Sequence, residues 1–570
     1  MTGFQDKPLI RELKRQLDEG QMDRRSFVRM AALLGVSVGA AGSMAGLVSP
    51  AMAANPAPAA MPWPRIDPDA KAGGVLRIGQ RVAKLDDPAL YSWNEMSNQT
   101  RPIIEHLALL GPDNITRPML LESWEPSDDL KTWVLRVRKG VMWHNGEELT
   151  AEHVAFNLRR WCDSKLGSSN IGLSTFSSLS EETGEKDAKG KAMRRPIANG
   201  IEVVDTHTVK LNLARAVLSV PEDCAQYPTQ IVHPSFKAPF SDAPLGTGPF
   251  TLKQLAVGDR CILQRVKKTT DGKDFVYWGG EVYLDEVQFF NFDLENQTAA
   301  LASGTVDAIY ELTSDQLELA KSLPDVKIYS AVSAQTVCCR MQNDKKPFDD
   351  IRVRQAIVKA ADNNAIQQLL FPEGGVPAYN FHVAPVHPEY FPLPPLKRDV
   401  AGAKALLKEA GHADGLSITI DCGNTDGPWH QAVCEALRDQ LADAGIKLAV
   451  NVVPTTRYWE IWKDTPFGIT SWSHRPLGTM TLGLAYRSGV PWNESHYSNP
   501  AFDAALADAE STVAVEARKA KMEKVEKILQ DDAVMVQPVW RPVYNLSSAK
   551  VHGYAAHPSR EIDIVKVWMS

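Results

Sequence analysis

His144 and His153 flank two acids, Glu147 and Glu148, and this is the run most easily mistaken for a catalytic site. A zinc hydrolase would place two histidines four residues apart on one helical face, with a glutamate beside them as general base. The spacing here does not match, and a turn followed by a helix start accounts for the run. GTGPF at 246–250 has the glycines of a phosphate cradle, but Pro249 removes an amide donor that such a cradle would use. It reads as a tight loop feeding a strand. There is no G-x-S-x-G elbow, and the 13 histidines are scattered without metal-ligand spacing. The expectation is a protein that is not an enzyme, with no catalytic residue, no cofactor and no metal site.

The residues at 471–489, SWSHRPLGTMTLGLAYRSG, suggest binding instead. The stretch contains no acid, and the next carboxylate is Glu494. Arg475, and with it Arg487, could take a carboxylate through paired hydrogen bonds. Trp472 at a strand end could stack on a ligand. The competing readings are a solvated or structurally paired arginine and a core tryptophan. Tyr458, Trp459 and Trp462 recur at helical spacing and read as core.

Seven cysteines, at 162, 224, 261, 338, 339, 422 and 434, are odd in number and irregular in spacing, so no disulfide framework follows. Cys338 and Cys339 are adjacent in an apolar strand-like run and should face opposite sides as small buried hydrophobes. A Cys422–Cys434 bridge is left open.

Several elements must position these groups. In TWVLRVR, Trp133, Leu135 and Val137 alternate with polar positions, the pattern of a half-buried strand. HNG at 144–146 offers a turn, and Thr150 should cap a helix running through Asn157. Residues 201–213 read as a hairpin. Residues 174–195 are polar and charge-dense and read as an exposed loop. Helical periods recur at 351–370, 400–410, 430–444 and 514–531, with strand candidates at 416–420, 446–452 and 469–473 between them. That alternation argues for an α/β lobe in the second half.

At 570 residues the chain is too long for one core. Its net charge is −7; the first 53 residues hold seven basic and five acidic side chains, or +2, so the remainder carries −9. An acidic body has no footprint for nucleic acid. The N-terminus reads as an export signal: the twin arginines Arg24 and Arg25, Phe27, a mildly apolar Gly- and Ala-rich stretch, and AMA at 51–53, where Ala51 and Ala53 supply the small residues of a cleavage site. As a membrane anchor the stretch falls short of the roughly 20 strongly apolar residues a span wants. No cysteine stands near the cleavage region for lipid attachment. Residues 54–72 form a Pro- and Ala-rich tether.

The phrase RKG followed by HNGEELTAEHV, then GTGPF at 246–250, SGTVDA at 303–308, NDKKPFDDIRVRQAI at 343–357 and ALLKEAG at 405–411, in this order, resembles the extracytoplasmic solute-binding proteins of peptide-type ABC importers, the family 5 class that takes oligopeptides, dipeptides, nickel complexes and opines. The resemblance implies an α/β two-lobed periplasmic flytrap with a smaller subdomain inserted in the first lobe. Lobe I would span 73–335 with an insertion at about 100–240, lobe II 336–532, and 533–570 would return to lobe I. Ligand contacts from both lobes would drive closure, and a permease and ATPase complex would read the closed form. The resemblance further implies a soluble, monomeric periplasmic protein that binds a small molecule or peptide. Peptide binders of the class follow the strand-end tryptophan with an acid for the ligand ammonium; here Ser473, His474 and Arg475 follow Trp472, which disfavours free-amine dipeptides and favours an acidic, opine-type solute. Tyr91, Trp93 and Asn94 in the first cleft loop, Asn343 after the inter-lobe strand, and Asn424 and Trp429 at a second-lobe strand top are the remaining implied ligand residues. A sensor or a chaperone on the same fold is the alternative function.

Overall fold

Trp133, Leu135 and Val137 are all buried on one face of the strand Thr132–Val137, as their alternation requires. In the computed structural model, which describes residues 7–46, 69–188, 190 and 192–570, this strand is central to a four-stranded sheet. Its order is Leu121–Pro126, Thr132–Val137, Thr208–Asn212, Ile201–Asp205, so the hairpin at 201–213 is present. Thr150 sits at the helix N-cap with extended backbone, but its side chain makes no capping bond. The helix Ala151–Trp161 runs a turn beyond Asn157, because Val154, Ala155, Leu158 and Trp161 continue one buried stripe.

The 174–195 stretch is corrected. It folds as a short helix, Ser174–Ser178, and the antiparallel strands Ser180–Lys186 and Ala192–Pro196. Ser174 and Thr175 of its helix are buried because their hydroxyls find acids: Thr175 donates to Asp223 at 2.6 Å and Ser174 to Glu510 at 2.5 Å. Polarity misled here since the partners lie far along the chain.

The main sheet has twelve strands. Its first half follows the order Phe250–Ala256, Arg260–Arg265, Glu286–Asn291, Val75–Gln80, Ala308–Ile309; its second half is Phe467–Trp472, Leu416–Cys422, Ile446–Val452. Two long strands, Val326–Met341 and Val539–Ser548, pair between the halves, with a register shift between Ala331 and Gln335. The sheet therefore belongs to two lobes joined by two strands. Cys338 and Cys339 do face opposite cores, and all seven thiols are free and buried, Cys422 and Cys434 included.

In the second lobe Leu416–Cys422, helix Trp429–Ala442 and Ile446–Val452 form a parallel unit, continued through helix Thr455–Ile461 to Phe467–Trp472. The 351–370 period is two helices, Ile351–Ala360 and Asn363–Leu370, split where Asp362 caps the second. Parallel strands deliver their carboxyl ends, and the loops after them, to one edge of the sheet. Residues 423–428 and 473–475 leave from those ends, facing residues 91–93 and 311 from the first lobe.

Three N-terminal helices, α1 (Pro8–Asp18), α2 (Arg24–Leu33) and α3 (Val38–Met44), pack on this body. Arg24 and Arg25 are exposed; Ala51, Ala53 and most of the expected tether lie outside the described residues. No described helix is long and apolar enough to cross a membrane.

Candidate functional site between the lobes

The chain after Val75–Gln80 turns through Pro88–Leu90, where Asp87 accepts the Ala89 amide, and then presents Trp93 at the start of helix Asn94–Thr100. Across from it stand Trp459 and Trp462. The Trp93 and Trp459 rings are 6.2 Å apart, and Trp459 meets Trp462 edge-on at 5.7 Å. Tyr227 of the inserted part stacks at 26° on Trp492, which meets Trp472 at 6.1 Å. These rings enclose a cavity of about 20 Å³ that also reaches Ser473 and Arg475. Such a space holds about one water, so the lobes are drawn together.

Arg475 decides the chemistry. Only 2% exposed, its guanidinium lies 5.1 Å over the Tyr227 ring, donates to the His474 carbonyl at 3.0 Å, and has no ion pair among the described residues. Its Nε, the Trp93 Nε1 and the Ser473 Oγ are buried without a hydrogen-bond partner. An unmatched buried donor is costly, and a group of them around one cavity is complementary to an acceptor-rich, anionic guest. The acid missing from 471–489 is supplied by Glu494, but it is already committed: it accepts from the Trp472 indole at 2.8 Å, Thr470 at 2.8 Å and Arg340 at 3.1 Å. It is not free to hold an ammonium.

Of the nine residues expected at the ligand, Trp93, Trp472 and Arg475 line this cavity. His474 is buried beside it; its Nδ1 accepts the Ala334 amide at 2.9 Å and its Nε2 meets Asn114 at 2.8 Å, tying the inter-lobe strand to the inserted part. Burial pushes its pKa well below the ordinary histidine value. The other expected residues have structural work instead. Tyr91 is buried in the first-lobe core, and Asn94 donates to the Ser559 carbonyl at 2.5 Å. Asn343 is held through its amide by the Ser495 carbonyl. Asn424, at φ 44°, accepts the Gln431 amide at the start of the helix beginning at Trp429. Trp429 lies under the Arg541 guanidinium. Arg487 is paired with Glu510 at 2.6 Å. Trp459 and Trp462, read as core from helical spacing, face the cavity; Tyr458 alone of the three is fully core. Tyr227 and Trp492 were not anticipated, and no local pattern marks them.

Next to this box lies a buried quartet. Arg560 bonds both Glu311 and Asp426, the latter at 2.6 Å, and Arg541 bonds the same two acids, Asp426 at 2.5 Å. Glu311 follows a first-lobe strand and Asp426 a second-lobe strand, so the quartet spans the lobes. Burial would raise the Asp426 carboxyl, but Arg560 and Arg541 hold it below its ordinary value.

Two other features compete for attention. Glu147, His153 and His233 bring ligand atoms within 4.8 Å of one another. However, the Trp143 indole donates to His153 Nδ1 at 3.0 Å, which leaves the proton on Nε2, so neither nitrogen offers a free lone pair. His233 meanwhile bonds Glu147 at 2.7 Å. His153 is thus tied to Trp143, and His233 to Glu147. A cavity of about 160 Å³ lies between residues 101–119 and 553–566, but its arginines are already matched, Arg101 with Glu561 and Arg117 with Asp113. The smaller space between the lobes is the stronger ligand site, since its arginine has no carboxylate partner among the described residues and its lining comes from both lobes.

The model of the family described as bacterial extracellular solute-binding proteins, family 5 Middle, matches residues 116–493. The periplasmic oligopeptide-binding protein OppA of Escherichia coli strain K12 is 25% identical over 541 residues, covering 89% of this chain and 93% of that protein. The heme-binding protein A of Haemophilus influenzae is 25% identical over 496 residues, covering 77% and 82%. Among solved structures, AgaA of A. tumefaciens R10 in complex with agropinic acid superposes with a TM-score of 0.75 at 22% identity, covering 87% of this chain and 99% of that one. DppA of Helicobacter pylori in complex with the peptide STSA gives 0.75 at 21%, covering 88% and 98%. These neighbours show the two-lobed fold.

Proposed function

The chain belongs to the bacterial extracellular solute-binding proteins of family 5, and from that premise we propose that it captures a peptide-like acid of the opine kind for an ABC importer. The observation carrying the ligand class is Arg475, buried and without a carboxylate partner at the mouth of an aromatic box whose nearest acid, Glu494, is spent on Trp472, Thr470 and Arg340. The ligand's acid group takes Arg475, Trp93 Nε1 and Ser473; its flat or ring portion packs among Trp459, Trp462 and Trp492. The AgaA relative in complex with agropinic acid supports the same class. No bond is made or broken: closure follows from contacts made by both lobes together.

Lobe I covers 73–335 with its insertion, lobe II 336–532, and 533–570 returns; the register shift between Ala331 and Gln335 is the hinge point on the long strand. The protein works as a monomer in the periplasm beside its permease and ATPase, exported by the twin-arginine route through Arg24 and Arg25 and cleaved at 51–53.

Native mass spectrometry of protein taken from the periplasm, with release and identification of the bound solute, tests the reading. An acidic sugar or amino-acid conjugate supports it. A co-purified peptide with a free amine overturns the ligand class, because it would require an acid this cleft does not offer.

A further inference from the structure

The N-terminal helices are tied to both lobes at once. On the first-lobe side, the Trp124 indole donates to the Leu33 carbonyl at 2.9 Å, and Lys7 pairs with Glu125 at 3.2 Å. Gly35, at φ +89°, lies so close to the Trp124 carbonyl that any side chain there would collide with it. On the second-lobe side, buried Arg29 donates to the Pro476 carbonyl, and Arg518 reaches the Met30 sulfur at 3.5 Å. Between these anchors Phe27, Met30 and Leu33 are fully buried in the same core cluster as Trp124 and Met522. On α1 burial follows one stripe, Ile10 and Leu13, whereas α2 is buried on all sides from Phe27 to Leu33, with Arg24 and Arg25 exposed at its start.

A flytrap opens by moving its lobes apart, and a segment anchored on both must release one set of anchors for that to happen. Pro476 directly follows Arg475, so the second anchor also fixes the residue beside the ligand guanidinium. The space of about 20 Å³ left between the lobes in this state has room for about one water. We propose that residues 8–44 form a strap that locks the two lobes together and keeps the cleft shut while the segment is attached. The occupant of the groove is this chain's own N-terminus. The proposal takes only its timing from the export reading above: a precursor folded before export stays empty, and removal of residues 1–53 frees the trap where the solute is to be collected.

The test needs no ligand. A specific protease site is placed within 54–68 of the full chain, the protein is folded and then cut, and amide hydrogen exchange is followed at 91–93, 470–475 and 27–33 before and after. The expected result is protection of 27–33 in the uncut chain and at least about tenfold faster exchange at 91–93 and 470–475 once the segment has left, with an increase in the radius of gyration from small-angle scattering. Gly35→Val in the uncut chain should produce the same cleft exchange while altering no residue of the body. The idea is overturned if 27–33 exchange freely in the uncut chain, or if the segment leaves and the cleft amides keep their protection.

Discussion

The quartet of Glu311, Asp426, Arg541 and Arg560 and the box around Arg475 lie in the same seam between the lobes, yet they treat buried charge in opposite ways. In the quartet two guanidinium groups meet two carboxylates, so all four charges are matched within the protein. In the box a single guanidinium rests on Tyr227 with no carboxylate, among tryptophans. A matched cluster gives nothing to a solute but strongly penalises removal of one member. An unmatched arginine gives little to the fold and much to an anion. One region is read as the latch that sets how the lobes meet, the other as the place left for a ligand.

Arg560→Met should break the latch most severely, because Asp426 and Glu311 would share one guanidinium in a dry site; the expected loss is about 3–5 kcal/mol in urea unfolding. Adding Asp426→Asn should recover part of it, as a double-mutant cycle would show. Arg475→Gln is the opposite case. Affinity for the solute identified by mass spectrometry should fall about 10- to 100-fold by calorimetry, from the loss of about 1.5–3 kcal/mol of charged hydrogen bonding, with unfolding changed by less than about 1 kcal/mol. If Arg475→Gln unfolded as readily as Arg560→Met and bound as tightly as the parent, the contrast between the two regions would fail. Trp459→Ala should be milder, weakening binding about 3- to 10-fold through a lost aromatic contact of about 0.5–1.5 kcal/mol.

Local order was legible where it is local. The strand at Trp133, the hairpin at 201–213 and the parallel unit from Leu416 to Trp472 follow from period and turn residues, and Trp472 was placed at its strand end with no acid after it. What the chain hides are pairings across great separations. Glu311 and Arg560 are 249 residues apart, and nothing beside either marks the other. Trp459 and Trp462 have the spacing of a buried stripe, but Trp459 is only half-buried and meets Trp93 of the other lobe, and Trp462 packs edge-on against it at the same space. The polar run at 174–195 is exposed along its two strands as its composition suggests, but its first turn is buried because Asp223 and Glu510, which satisfy Thr175 and Ser174, lie elsewhere in the chain. Tyr91, Trp93 and Asn94 all follow the first strand, but Tyr91 packs into the first-lobe core and Asn94 bonds the Ser559 carbonyl, so of the three Trp93 is the one at the space between the lobes.

The contrast extends to acids buried without an arginine bonded to them. Glu222 makes no hydrogen bond through either carboxylate oxygen, and burial pushes its pKa up to about 7, against the opposing pull of Arg29; Glu389 and Asp223 nearby push the same way as burial. Asp223, held only by Thr175 and Ser219, is likewise raised by burial to about 7. Both protons are bound more tightly in the folded state than in the unfolded chain, where release occurs near the ordinary values of 4.5 and 3.8. The stability they contribute is therefore complete below about pH 4 and is lost as pH rises through about 7. The quartet, whose Asp426 is shifted downward, has the opposite sign and changes only in acid. The melting temperature of the full chain should accordingly drop by about 1–2 °C between pH 5 and pH 8, and Glu222→Gln, neutral at every pH, should flatten part of that drop. An unchanged slope in Glu222→Gln would mean that Arg29 compensates the carboxylate as fully as Arg560 compensates Asp426, and the distinction between matched and unmatched acids would not reach this part of the protein.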